Sequence, residues 1–355
     1  MGTEANKTAS KDFGIVHIRW FFILSACSLL SILYTSSTSK KFYMVVNSQS
    51  SVLTTISNQL RDVSLSHKVP PSLSNTSSKS HDQTVNFTIA SPNTCSESPI
   101  HALVWIFSAP GNFERRKAIR KTYAKSALFV PLEVRFVFSI ATTNDGDIQQ
   151  RILLEQDAYG NIIQDGTFQD AYENLTHKAI SMLKWTNIYC KDVKLLFKVD
   201  DDSFVHSTRF AKWLQKFEDT NSWPVNSVIG TVWNHPKPHR TGKWKVPYDE
   251  WPEAEYAPKA CPGSGYLISG DAVPKLVSAI PKVRFLWLED MYLTGVLSHA
   301  ANLKHIDNSQ HHLLTFEKNT QSTFVSNKNL FLAGHLSHNM DAYKLWDKLR
   351  PLKYW

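Results

Sequence analysis

The pattern of apolar and polar positions divides the chain into two unlike parts. From Ile100 onward, apolar runs of strand length alternate with helix-like stretches. Ala102–Phe107, Val134–Ile140, Leu195–Val199 and Val228–Trp233 have the length and composition of buried strands. Between the second and third, Tyr172, Leu175, Ala179, Met182 and Leu183 recur at three-to-four spacing, and Asp170 precedes them as a candidate capping acid. Another helix is expected around Arg209–Phe217. The alternation predicts an α/β fold, a layered sheet with helices on both faces. No internal repeat is visible.

The first hundred residues follow different rules. Trp20 to Ser39 is a twenty-residue stretch without a charge, apolar through Leu33 and Tyr34. At about 1.5 Å per residue, such a helix just crosses a ~30 Å hydrocarbon core. A cleaved signal peptide is the rival reading, but the apolar region lies far from the N-terminus and no clear small-x-small cleavage site follows. Thr35 to Ser98 is rich in Ser, Thr, Asn and Gln and poor in aromatics, the composition of an extended stem. The expected organisation is a cytosolic tail (1–19), a membrane anchor (20–39), a stem (40–99) and a lumenal globular domain (100–355). Glycosylation sequons at Asn75, Asn86 and Asn174 agree with a secretory location.

Cysteine and charge exclude some classes. With Cys27 in the anchor, Cys95, Cys190 and Cys261 permit at most one internal bridge, and none has zinc-type spacing. The net charge of +8 comes from scattered basic residues. That distribution suits anionic nucleotide sugars or acidic glycans better than nucleic acid.

The chemistry concentrates in four segments. The run Leu195–Val199 ends abruptly in Asp200, Asp201 and Asp202, after which apolar residues resume. Three adjacent carboxylates repel unless a cation sits among them, and an all-oxygen set suits Mg²⁺ or Mn²⁺ beside substrate phosphates. A solvated acidic turn is the plain alternative. A calcium hand is excluded, because Val205 and Ala211 stand where its Gly and bidentate Glu belong. Upstream, Arg116 and Arg120 share a helix face and could offer two forks to a diphosphate, or form an ordinary basic helix start. Gly263 and Gly265 permit close backbone approach before a short strand. Glu289 and Asp290 follow an apolar run, placed for general-base work or for capping a helix.

Taken in order, the segments 116–122, 170–178, 197–205, 243–246 with Trp251-Pro252, 263–269 and 289–292 resemble the β1,3-glycosyltransferase family of galactosyl- and N-acetylglucosaminyltransferases. The resemblance covers roughly Ile100 to Trp355. It implies a GT-A fold, Golgi type II membrane topology, a UDP-sugar donor, a divalent metal (usually Mn²⁺), a glycan acceptor and inversion at the anomeric carbon. It further implies Asp202 as main metal ligand, Asp200 on metal or ribose, Asp201 beside the donor, and His335 or nearby His338 completing the metal site. Arg116 and Arg120 become donor-binding candidates, Asp290 the base, and Glu289 its support or substitute. Trp244 and Trp251 are candidates for sugar stacking or for packing. Galactose is the first expectation for the donor sugar, with N-acetylglucosamine and N-acetylgalactosamine open. Two other classes compete: a nucleotide-sugar hydrolase and a non-catalytic Golgi lectin or scaffold. The chain departs from the family pattern at Tyr123, where Trp is usual, in the 256–261 lead-in, and at Leu293–Val296, which lacks a common cysteine.

Overall fold

The computed structural model describes residues 84–96, 99–313, 321–336 and 339–349. The expected anchor, and the stem up to residue 83, lie outside the described residues. Among the described residues no helix is long and apolar enough to cross a membrane.

In chain order the main elements are β1 (Phe87–Ile89), β2 (Ala102–Phe107), α1 (Phe113–Lys121), β3 (Val134–Thr142), α2 (Gly146–Tyr159), β4 (Ile162–Gln169), α3 (Leu175–Tyr189), β5 (Leu195–Asp200), β6 (Phe204–Val205), α4 (Ser207–Thr220), β7 (Ser227–Gly230), β8 (Trp233–Asn234), β9 (Lys259–Ala260), β10 (Gly265–Ser269), α5 (Val273–Ala279), β11 (Lys304–Asp307), β12 (His312–Leu313) and β13 (Leu332–Ala333). Eight strands form one mixed sheet in the order β1-β4-β3-β2-β5-β10-β7-β11. The ladders β4-β3-β2-β5 are parallel, whereas β10 is antiparallel to both β5 and β7.

The central strand β2 is apolar at every position because both sheet faces are covered. Along β2, Leu103, Trp105 and Phe107 pack with Trp185 of α3 on one face. Ala102, Val104 and Ile106 pack with Ile119 of α1 and Phe210 of α4 on the other. The α/β expectation of a sheet with helices on both faces is met.

Several local expectations shift. The strand expected over Val228–Trp233 ends at Gly230, and Trp233–Asn234 pairs instead with Lys259–Ala260 in a separate ribbon. Asp170 does not cap α3, which begins five residues later. Its Oδ2 accepts from Ala141 N (2.8 Å) and Lys178 Nζ (2.8 Å), tying α3 to the end of β3. Residues 84–96, inside the expected stem, are folded onto the domain. Phe87–Ile89 pairs antiparallel with β4 at the sheet edge, and Cys95 is disulfide-bonded to Cys190 at the end of α3. A β-strand of three residues within a polar stretch carries too short a pattern to be read locally. Cys261 is free and buried.

The strand order positions the site. From β2 the chain moves outward to β3 and β4, then returns to place β5 on the other side of β2. Such a reversal opens a crevice at the carboxyl ends of the two central strands. Phe107 and Asp200 are partners at those ends, and Asp201 N donates to Phe107 O (3.0 Å).

Candidate active site

The three aspartates at the end of β5 have three different surroundings. Asp201 turns back into the protein, where Ser108 Oγ (2.7 Å), Asn112 Nδ2 (2.9 Å) and Arg115 Nη1 (3.2 Å) donate to its carboxylate. Burial pushes its carboxyl up, and those donors only partly offset the effect. Asp201 therefore anchors the turn after β2, and its oxygens are committed inside the fold.

Asp202 faces the C-terminal segment. Leu332 and Ala333 of β13 pair with Val205 and Phe204 of β6, and Leu336 N donates to Asp202 O (2.6 Å). This pairing delivers His335, held at a left-handed φ of 57°, with its Nδ1 3.6 Å from Asp202 Oδ2. A left-handed backbone at a non-glycine residue is costly and recurs at functional sites. Burial pushes the Asp202 carboxyl up, but His335, Arg115 and Lys198 hold it below its ordinary value. Its Oδ1 is buried and makes no hydrogen bond among the described residues. His338 lies outside the described residues.

Asp200 is paired rather than open. Its Oδ1 is 2.8 Å from Lys198 Nζ, two positions earlier on the same face of β5. Lys198 is only 1% exposed, and its ammonium also donates to Gly263 O (2.7 Å) and lies 3.3 Å from Glu289 Oε2. The expected metal set of Asp200, Asp202 and His335 is thereby divided. Among the described residues no group of three or more His, Cys, Asp or Glu is arranged to hold a metal ion. The pair Asp202 and His335, with one buried carboxylate oxygen lacking a partner, fits a cation whose remaining ligands are water and phosphate oxygens.

The second acidic pair lies beyond β10. Glu289 is 5% exposed, its Oε1 accepting from Tyr266 Oη and its Oε2 facing Lys198. Burial raises its carboxyl to about 7; Lys198 opposes that rise, while Asp290 and Asp200 add to it. Asp290 is half-buried. Its Oδ1 accepts from Met291 N (2.8 Å), capping a π-helix over Met291–Leu297, and its Oδ2 accepts from Gly263 N (3.0 Å). Burial raises Asp290 too, and the two backbone donors and Lys198 counter it. Capping and base work are compatible, since a carboxylate keeps acceptor capacity beyond one bond per oxygen. A Cβ at Gly265 would collide with the Leu332 side chain, whereas one at Gly263 would make only ordinary contacts with Asp290 Oδ2 (3.4 Å) and Glu289 Oε2 (3.5 Å).

The arginine expectation is corrected. Arg116 is fully buried and donates to both oxygens of Glu155, to Ser108 Oγ and to the carbonyls of Ala109 and Pro110. Arg120 also binds Glu155 and donates to Asn161 Oδ1 (2.8 Å). Both forks brace α1 against α2 and the turn after β2, so neither is free to grip a diphosphate. Arg115 is the arginine at the acidic crevice, one-third exposed and 3.9 Å from Asp202. Trp251 is core, its Nε1 donating to Glu255 O (3.0 Å). Trp244 is about half exposed, with Nε1 donating to Tyr172 Oη (3.0 Å). Tyr123 is buried, and its hydroxyl donates to Ser203 O (3.1 Å), just past the acidic run.

Lys198, Arg115 and Tyr266 are members of the site that sequence reasoning missed. Lys198 did leave a signal: a lone cation inside Leu195–Val199, a strand buried on both faces, requires a buried anion.

A family model described as galactosyltransferase matches residues 114–309 of this arrangement. The chain belongs to the galactosyltransferase family. Its acidic strand end and the Glu289-Asp290 pair both lie within the matched residues. The chain is 31% identical over 211 residues to human beta-1,3-galactosyltransferase 2, covering 58% of this chain and 49% of that protein. It is 29% identical over 266 residues to lactosylceramide 1,3-N-acetyl-beta-D-glucosaminyltransferase B of Danio rerio, covering 72% and 67%. The chain thus spans about half the length of the first of these relatives.

Proposed function

We propose that the chain is an inverting glycosyltransferase that moves a hexose, galactose first, from a UDP-sugar to a glycan hydroxyl and forms a β1,3 linkage. The carrying observation is that Lys198 joins an acidic strand end at a sheet reversal to the Glu289-Asp290 pair. Family membership supports glycosyl transfer, and the names of the two relatives support a 1,3-linkage. They name galactose and N-acetylglucosamine alike, so the N-acetylhexosamine donors remain the alternative.

Asp202 and His335 would hold Mn²⁺ or another divalent cation, which when bound offsets negative charge on the departing diphosphate. Arg115, beside Asp202, adds a cation at the same corner. Asp290 accepts the proton of the attacking acceptor hydroxyl, while Gly263 N–H and Met291 N–H fix its carboxylate. The hydroxyl oxygen bonds to the anomeric carbon as the bond to the diphosphate oxygen breaks on the opposite face. The expected setting is a Golgi membrane, through the apolar segment 20–39.

The lumenal part, incubated with Mn²⁺, a panel of UDP-sugars and an acceptor array, tests the reading. Transfer to a 3-hydroxyl with one UDP released per bond is expected. UDP release independent of acceptor would replace the proposal with a hydrolase.

A further inference from the structure

Lys198 has no role in the chemistry just described, yet it is buried at the centre of it. A buried ammonium has three donors and must use them. Lys198 directs one each at Asp200 Oδ1 (2.8 Å), Gly263 O (2.7 Å) and Glu289 Oε2 (3.3 Å), and it sits 4.8 Å from the Phe107 ring centroid. These contacts come from three different parts of the chain. Asp200 ends the strand that carries the metal-facing carboxylate, Gly263 leads into β10, and Glu289 precedes the base.

The register explains how one side chain reaches all three. In the antiparallel pairing of β5 with β10, Tyr266 stands directly opposite Lys198. This cross-strand pair clamps Glu289 between them, Tyr266 on Oε1 and Lys198 on Oε2. Gly263, whose carbonyl Lys198 holds, donates its own N–H to Asp290 Oδ2 (3.0 Å). A simple counter-ion for Glu289 would need only one of these contacts.

We propose that Lys198 is the positioning residue for the base, orienting Asp290 through Gly263 and through the clamped Glu289 and tying that geometry to Asp200 at the donor end. The inference rests on the transferase reading given above. Among the described residues, the ionisable groups that act on Asp290 include Lys198 and Asp200 of β5, Tyr266 of β10, Glu289, and Tyr256 and Cys261 on the segment before β10. Lys198 is the one cation among them, so it favours the ionised, proton-accepting form of Asp290.

The test compares Glu289→Gln with the charge-balanced double variant Lys198→Met/Glu289→Gln, because Lys198→Met alone strands Glu289 as an unpaired buried charge. Thermal unfolding first establishes that both are folded. Relative to Glu289→Gln, the double variant is expected to lose about 100-fold in kcat, the scale of a base misplaced by about 1 Å. Its donor KM should change by no more than about 3-fold, and the acid limb of its pH–rate profile should move to higher pH. Lys198→Arg should recover part of kcat. Equal kcat with coincident acid limbs, or a loss confined to donor KM, would overturn the proposal. A second readout does not depend on turnover: NMR titration of ¹³C-labelled aspartate carboxyls, with Asp290 assigned through Asp290→Asn. Asp290 should titrate higher in the double variant than in Glu289→Gln, and coincident curves would overturn the positioning role. If the wild-type protein transferred no sugar while Asp290 still shifted, the transferase reading would fail and the coupling would stand.

Discussion

His335 Nδ1 stands 3.6 Å from Asp202 Oδ2, brought there by the pairing of β13 with β6. The contact joins the far end of the chain to the acidic run, and Asp202 retains a buried oxygen without a partner beside it. Removing either residue should weaken a shared site rather than the fold. His335→Ala is expected to reduce Mn²⁺-dependent UDP binding by about 10- to 100-fold, the range seen when a metal's supporting ligands are lost. Asp202→Ala should abolish the metal dependence. Calorimetric titration of UDP with and without Mn²⁺ measures both, and unchanged binding in His335→Ala would remove it from the site.

In the proposed reaction Asp290 and Asp202 serve different halves, so their variants should separate. Asp290→Asn keeps the shape and loses the base. Transfer should fall by at least about 100-fold, the usual contribution of general-base catalysis. UDP affinity should stay within about 2-fold of wild type. Parallel loss of UDP binding would mean that Asp290 holds the donor instead.

Glu289 gives a pH signature in stability. Its folded-state pKa is raised from 4.5 to about 7, chiefly by burial. Between those values the folded protein holds a proton that the unfolded chain has released, so this group's contribution falls as pH rises from about 4.5 to 7 and is level above. Glu289→Gln lacks that loss. The stability difference, variant minus wild type, should therefore rise with pH across this window, by up to about 3 kcal/mol if the whole shift is realised. Urea unfolding at pH 4.5, 5.5, 6.5 and 7.5 would show it; a flat difference would mean that Glu289 titrates alike in the folded and unfolded chain.

Arg116 should behave as a structural residue. Its loss leaves Glu155, 9% exposed, with Arg120 as its remaining partner, so the cost should stay below the roughly 3–5 kcal/mol of a fully stranded buried charge. Arg116→Met should lower the unfolding midpoint markedly, while UDP affinity of the folded fraction changes little. A large affinity loss at unchanged stability would restore the donor-binding role expected from the sequence.

The two sequons among the described residues should differ. Asn86, just before the edge strand β1, and Thr88 on it are exposed, whereas Thr176 is fully buried with its hydroxyl donating to Leu286 O and Trp287 O, and Asn174 Nδ2 donates to Gln169 O (2.8 Å). In a secreting host, glycosidase-sensitive mass is expected at Asn86 and not at Asn174. Peptide mapping decides between them.

The sequence by itself determined the elements and the two acidic centres. Strands β2, β3 and β5 and helix α3 were legible because each carries an apolar run or periodicity of five residues or more. The Asp200–Asp202 run and the Glu289-Asp290 pair were legible because a carboxylate cluster abutting an apolar segment demands a partner. The tertiary structure decided which partner each received. Arg116 and Arg120 share a helix face as expected, but that face packs on Glu155. Asp200 and Asp202 are two residues apart, yet one meets Lys198 and the other His335. Residues 84–96 join the sheet through a single short ladder and a disulfide. Apart from the Lys198–Asp200 pair, which lies within one strand, the deciding contacts are between segments distant in sequence, and strand order, register and chain return set such contacts. Local pattern encodes the period of an element and the need to bury a charge, but not the identity of the group that packing brings to it.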